Sequence, residues 1–222
     1  MKRVFFFLLV LLMGSFVTFG QNLRFGLTAT PQFGFPCILA SNVRSTGVKV
    51  GLSYGLLLDL RIDNNERYAF STGFLHTLTG MNLDVDIKNA AGDSIIRTDS
   101  RNLKLQYIEI PLTIRLRTNE IGYITYYGQF GIVPGINVSS RLDQESTDPS
   151  AEYNFTNEKI KDAGFANLSL HFGLGLEYSV SSSTQLMGGL YYSNGFTNVY
   201  KPDDIHDKIS LRNIGLRLAV LF

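Results

Sequence analysis

Residues 103–117 read LKLQYIEIPLTIRLR. From Ile108 onward the even positions Ile108, Ile110, Leu112, Ile114 and Leu116 are bare aliphatics. The odd positions are Glu109, Pro111, Thr113, Arg115 and Arg117. Such alternation marks a β-strand with one apolar and one polar face. A half-buried strand in any protein shows the same pattern, so the weight lies in its repetition. Seven further segments carry it, at 23–35, 50–61, 68–78, 121–137, 166–178, 184–194 and 211–222. The cleanest sets Leu168, Leu170, Phe172, Leu174, Leu176 and Tyr178 against Ser169, His171, Gly173, Gly175 and Glu177.

Eight strands is the number of a small closed barrel. The connections at 63–67, 118–120 and 180–183 are short and rich in Asn, Asp, Ser and Glu. Those at 37–49, 79–102, 138–165 and 195–210 are long and polar. Short turns at one rim and long loops at the other describe an outer-membrane barrel, with turns periplasmic and loops extracellular. The expected fold is therefore an all-β, eight-stranded antiparallel up-and-down transmembrane barrel. The rival is a soluble lipocalin-like barrel with its apolar face inward. That fold would wet the polar face and load it with Lys and Glu. Here the polar face is mostly Gly, Ser, Thr, Asn, Gln and Tyr, and the apolar face carries no charge through mid-strand, as lipid requires.

The first twenty residues stand outside this pattern. Lys2 and Arg3 precede an unbroken apolar run from Val4 to Met13, and small residues Thr18 and Gly20 stand before Gln21. This is the layout of a cleaved signal peptide, and the run is too short to cross a ~30 Å hydrocarbon layer. The expected domains are a signal peptide at 1–20 and a barrel at 21–222. Cys37, the single cysteine, lies too far downstream to carry a lipid and has no partner for a disulfide. The formal charge is +1, and −1 without Lys2 and Arg3, so nothing favours nucleic acid. No Cys/His grouping has metal-ligand spacing, and no cofactor is expected.

The eight strands, the hexapeptide Tyr107–Leu112 (YIEIPL), the signal peptide and the terminal Phe222 together resemble the PorT-like outer-membrane β-barrel family. That resemblance spans the mature chain and implies the same fold and location. The family takes its name from a component of the type IX secretion system, so a secretion-associated role is implied as well.

With both termini periplasmic, the outward aromatics Phe25, Tyr68, Tyr126, Tyr178 and Phe222 share the periplasmic level. They make a girdle at one interface. Charges collect on the lumen side at Arg24, Asp59, Arg61, Arg115, Arg117, Glu177 and Arg217, with Glu109 higher. They form either a vestibule for an anionic group or a salt-bridged plug. The plug is the expectation, because buried charges must be paired and so narrow a barrel holds only side chains. Glu109 and Glu177 are the expected partners of Arg115 and Arg217.

Ser169, His171 and Glu177 share one face, but Glu177 lies about 20 Å along the strand from His171 at ~3.3 Å per residue. A satisfied lumen histidine is expected there, and no catalytic set. His76, near Thr72 and Thr79, is the candidate of a rim-sited lipid-modifying enzyme. Pro111 and Pro134 each remove a ladder donor, so local bulges are expected. The leading expectation is a non-enzymatic scaffold or interaction protein. A small channel is disfavoured by the strand number. Its expected contacts are outer-membrane lipid along the wall, the barrel-assembly machinery at the C-terminal strand, and envelope proteins at the loops.

The mature protein should begin at Gln21 and remain with outer membranes through carbonate extraction. Folded chain in a soluble fraction would revive the lipocalin-like reading.

Overall fold

The computed structural model describes residues 23–38, 42–62, 67–89, 94–148, 153–160, 162–202, 205 and 208–222. The signal-peptide reading and most of the turn at 63–67 lie outside them. The strands are β1 (Leu23–Ile38), β2 (Val43–Gly47), β3 (Lys49–Arg61), β4 (Tyr68–Lys88), β5 (Ile95–Glu109) and β6 (Leu112–Arg117). They continue as β7 (Ile124–Ser146), β8 (Phe155–Lys159), β9 (Ala166–Ser179), β10 (Gln185–Gly195) and β11 (Ile209–Leu221). Neighbours pair antiparallel in the order β1, β3, β4, β5 with β6, β7, β9, β10, β11, and β11 returns to β1. This is a closed eight-strand barrel, with β5 and β6 forming one wall strand. Closure leaves no edge of unpaired peptide groups in hydrocarbon.

The two prolines do not bulge the wall. Leu75 faces Glu109 on one side of the Ile110–Pro111 step and Ser71 faces Thr113 on the other, which is one unbroken register. Pro134 sits in register opposite Leu168, and its carbonyl accepts the Ile110 N–H at 3.0 Å. Each proline costs a ladder bond without inserting a residue. The bulge lies higher, where Tyr107 faces Asn137 and Gln106 faces Ser139, leaving Val138 as the extra residue.

Through the wall, the outward residues are large and apolar, among them Leu27, Leu56, Phe74, Ile114, Phe130, Leu174, Leu190 and Leu218, all exposed. From Leu168 to Tyr178, at ~3.3 Å per residue and ~40° tilt, this band rises about 25 Å, the height expected of a lipid-facing belt.

The long loops differ from expectation. Much of 79–102 and 138–146 is strand, so β4, β5 and β7 rise past the apolar band and, with β2 and β8, form an extension at the loop end. Along it the pattern reverses. Met81, Leu83, Val85, Leu103, Leu105 and Leu142 turn inward and are buried, while Asn82, Asp84, Asp86, Lys104 and Arg141 turn outward. The reason is solvent, since water replaces lipid outside, so apolar side chains leave the outer face.

The inward layer is capped by Val199, Tyr200 and Ile205 from the segment between β10 and β11, with Ile209 at the start of β11. That segment is pinned by Gly164 N–H to the Val199 carbonyl (3.0 Å), Lys201 N–H to the Asp162 carbonyl (2.8 Å), and Arg101 Nη1 to the Tyr200 hydroxyl (3.3 Å). Leu83→Ala should cost about 2–5 kcal/mol and open the extension to limited proteolysis. Asp84→Ala, on the outer face of the same strand, should stay within about 0.5 kcal/mol. Urea unfolding in lipid vesicles measures both.

Candidate functional site

Sequence dictates that odd positions of β3, β6 and β9 point into the lumen, and this brings four charges together. Asp59 on β3 and Glu177 on β9 flank Arg115 and Arg117 on β6. Arg115 Nη1 contacts Asp59 Oδ2 closely and lies 3.4 Å from Glu177 Oε1. Arg117 reaches Asp59 Oδ2 at 2.9 Å and Glu177 at 3.1 Å. Asp59 and Arg115 have no exposed surface and Glu177 has 1%. Between Arg115 and the β3 wall stands Ala69, the cross-strand neighbour of both Arg61 and Arg115. Its small side chain lets the guanidinium pass across β4 to the carboxylate. Ser71 donates to Asp59, and Gln129 accepts from Arg115 Nη2 at 3.3 Å. The Arg115 guanidinium also lies 5.1 Å from the centre of the Tyr127 ring.

The other expected members stand apart from this four-charge cluster. Arg217 makes no ion pair among the described residues. It lies 5.4 Å from the centre of the Tyr191 ring and contacts Gln129 at 3.4 Å. Glu109 is not the partner of Arg115 or Arg217, since its carboxylate accepts the Thr77 hydroxyl at 2.7 Å. Asp59 does the pairing instead, because it lies two wall strands from β6 at the right level. Arg24 and Arg61 line the turn-end mouth with Glu120 and Gln185, and Arg24 donates to Gln185 Oε1 at 2.5 Å. Charge still balances, with Asp59, Glu109 and Glu177 against Arg115, Arg117 and Arg217 in the interior.

Ser169, His171 and Glu177 form no relay. Ser169 donates to the Val133 carbonyl at 3.4 Å, and Glu177 is held by the arginines. His171 stacks on Tyr191 at 5.0 Å, but its buried Nε2 has no partner among the described residues, so the histidine is not satisfied as expected. Above the charges His171, Tyr191, Glu109, Arg217 and Asn213 enclose a chamber of about 20 Å³, room for about one water. On the outside, His76 Nδ1 lies 2.8 Å from the Tyr54 hydroxyl. Thr79 faces the lumen, where it donates to Asn213 at 2.8 Å, so it does not stand beside His76. Among the described residues no three His, Cys, Asp or Glu side chains gather to hold a metal.

Phe25, Tyr68, Tyr126, Tyr178 and Phe222 all face outward and are exposed at the turn end. Phe25 and Phe222 exchange backbone hydrogen bonds, and Tyr178 lies 6.3 Å from the Tyr123 ring. A second aromatic pair, Phe165 and Phe196, is exposed at the loop end of β9 and β10. Both fall in segments that read as polar loop, so strand alternation gave no signal for them.

Asp59→Ala leaves two buried guanidiniums with one carboxylate and should cost about 3–5 kcal/mol in the detergent-folded barrel. Glu109→Gln keeps the Thr77 contact and breaks no ion pair, so it should cost clearly less than Asp59→Ala. Thermal midpoints of the two variants decide the assignment.

The model of the outer membrane protein beta-barrel domain family matches residues 17–201. A search of curated protein sequences finds no match. The fold is similar to that of Neisserial surface protein A, 13% identical, over 90% of this chain and 96% of that one, with TM-score 0.52. Ail of Yersinia pestis is 14% identical over 90% and 97% of the two chains, TM-score 0.41. OprG of Pseudomonas aeruginosa is 10% identical over 90% and 94%, TM-score 0.36. With a closed eight-strand wall, an apolar exterior and a family match over most of its length, the chain belongs to the outer membrane protein beta-barrel domain family and resides in the outer membrane.

Proposed function

We propose that the chain is a non-enzymatic interaction module of the outer membrane, working through the β-extension above the lipid band. The observation behind this reading is the extension's own buried core, Met81, Leu83, Val85, Leu103, Leu105 and Leu142 under Val199, Tyr200 and Ile209. Bare loops present a mobile surface, whereas paired strands over a packed layer present a fixed one. Among the described residues β2 and β8 each pair on one side only, which leaves open strand edges of the kind that take up a partner strand. Ile95 and Ile96 stand exposed on the β4–β5 hairpin, beyond the lipid band.

The interior supports a scaffold over a channel. Ion pairs fill its turn half, the apolar cap covers its loop half, and the chamber between has room for about one water. The PorT-like resemblance points to secretion-associated envelope proteins as the partner class. Within the resembling hexapeptide Tyr107 and Glu109 face inward and Ile110 and Leu112 outward, so those residues serve the wall, and the partner is sought at the extension.

A photocrosslinking residue at Ile96 should give a discrete adduct with an envelope protein in intact cells. The same residue at lipid-facing Leu174 should not. An extension that yields no adduct from several outward positions sinks the reading.

A second reading keeps the His76–Tyr54 pair as part of a lipid-modifying site, because a hydrogen-bonded imidazole and phenol stand on the outer wall. Mass spectrometry of lipids from a His76→Ala strain and a deletion strain tests it. Profiles unchanged in both remove the enzyme.

A further inference from the structure

Register places three cations, Lys104, Arg141 and Lys159, in one line on the outer face of the wall. Gly80 on β4 is the cross-strand partner of Lys104 on β5, Lys104 of Arg141 on β7, and Arg141 of Lys159 on β8. Cross-strand partners share a face, and Arg141 and Lys159 are both exposed. Lys49, at the loop end of β3 and paired in register with Gly34 on β1, joins them through its side chain. A Cβ at Gly80 would meet the Lys49 Cγ at 3.4 Å and the Leu103 carbonyl at 2.1 Å, so the lysine stem crosses the space the glycine leaves. Its Nζ reaches Asn102, beside Lys104.

Like charges directly opposite one another destabilise a sheet, and here the wall holds two such pairs in succession. Of these, only Lys104 makes an ion pair among the described residues, with Asp143 at 2.7 Å, and that hydrogen bond, with Lys49 also nearby, holds the carboxyl below the ordinary range. Arg141 and Lys159 make no ion pair among the described residues. Glu145 lies four residues further up β7 than Arg141. An anion from outside the chain would relieve the repulsion that remains.

The level of the line says where such an anion comes from. Towards the membrane the outward residues change through Gln106 and Ser139 to Val138, Ile136 and Ile108. Away from it they are Asn82, Asn102 and Asp143. The cations therefore stand where lipid-facing wall gives way to the water-facing extension, the headgroup layer of the outer leaflet. On the opposite wall the outward Arg212 is held by Asn194 at 2.9 Å.

We propose that Lys49, Lys104, Arg141 and Lys159 form a binding site for the phosphorylated headgroup of an outer-leaflet lipid. At ~4.8 Å between strands, Lys104 to Lys159 spans about 10 Å, a width suited to one headgroup bearing two phosphates. Arg141 supplies the planar fork that takes two phosphate oxygens together, and the flanking lysines supply point charge. The proposal stands independently of the interaction-module reading.

The test uses the mature barrel folded in detergent and native mass spectrometry with lipid A, a bisphosphorylated disaccharide lipid, or its dephosphorylated form. The wild-type protein should retain lipid A and release the dephosphorylated lipid. Arg141→Gln with Lys159→Gln should weaken retention on the order of tenfold, while Arg141→Lys with Lys159→Arg should keep most of it. Equal retention of the two lipids, or full retention by the glutamine double variant, overturns the proposal. Displacement by equimolar inorganic phosphate also overturns it, because the site would then hold any small anion. Should the double variant fail to fold, the wild-type protein still decides, since retention that ignores rising ionic strength is not held by exposed charge.

Discussion

A peptide group in hydrocarbon has no water to bond, so every strand that crosses the bilayer needs a partner on both sides. The pairing of β11 with β1 supplies the last of these and fixes the rest of the molecule. Once the sheet is closed, alternation sends every second side chain into a space too narrow for solvent, and that space must be filled. The chain fills it with side chains of very different sizes. Tyr127 lies across the small positions Gly175 and Gly189, where a Cβ would come within 2.6 Å and 2.3 Å of its hydroxyl.

Filling the lumen with polar groups carries a desolvation cost that only pairing offsets. The arrangement of Asp59, Arg115, Arg117 and Glu177 follows from that. Two guanidiniums stand side by side on β6, and their repulsion is relieved because a carboxylate approaches from each side, one from β3 and one from β9. Removing either acid leaves a charge with nowhere to go, which makes this cluster a determinant of stability. Its buried, mutually saturated carboxylates are poorly suited to acid–base chemistry. The same packing that holds the wall together thus argues for function outside the lumen, on faces that reach solvent and headgroups.

The family match fixes the location, and the likeness to Neisserial surface protein A bears on the fold alone. A fold by itself does not set function, which is carried by the sites built on it. The two sites proposed here are a packed extension and a line of cations. Both depend on strands continuing past the membrane, so a single structural fact underlies the two proposals.

Much of this was legible in the chain. Period-2 alternation gave eight wall strands, their outward and inward faces, the aromatic level at Phe25, Tyr68, Tyr126, Tyr178 and Phe222, and a charged lumen. Each follows from local order, because successive side chains on a strand must alternate whatever surrounds them. The height of the strands was not legible in the same way. Residues 81–88, MNLDVDIK, alternate as strictly as any wall strand, but with the apolar side chains on the opposite parity to Phe70 and Phe74. Within LKLQYIEIPLTIRLR the same reversal falls between Tyr107 and Ile108. Only the tertiary structure decides which face meets lipid, which meets water and which meets the cap at Val199 and Tyr200. It alone decides, too, that Asp59 and not Glu109 meets Arg115. Pairing across a lumen depends on stagger between strands far apart in sequence, and alternation along one strand carries no information about its level against another.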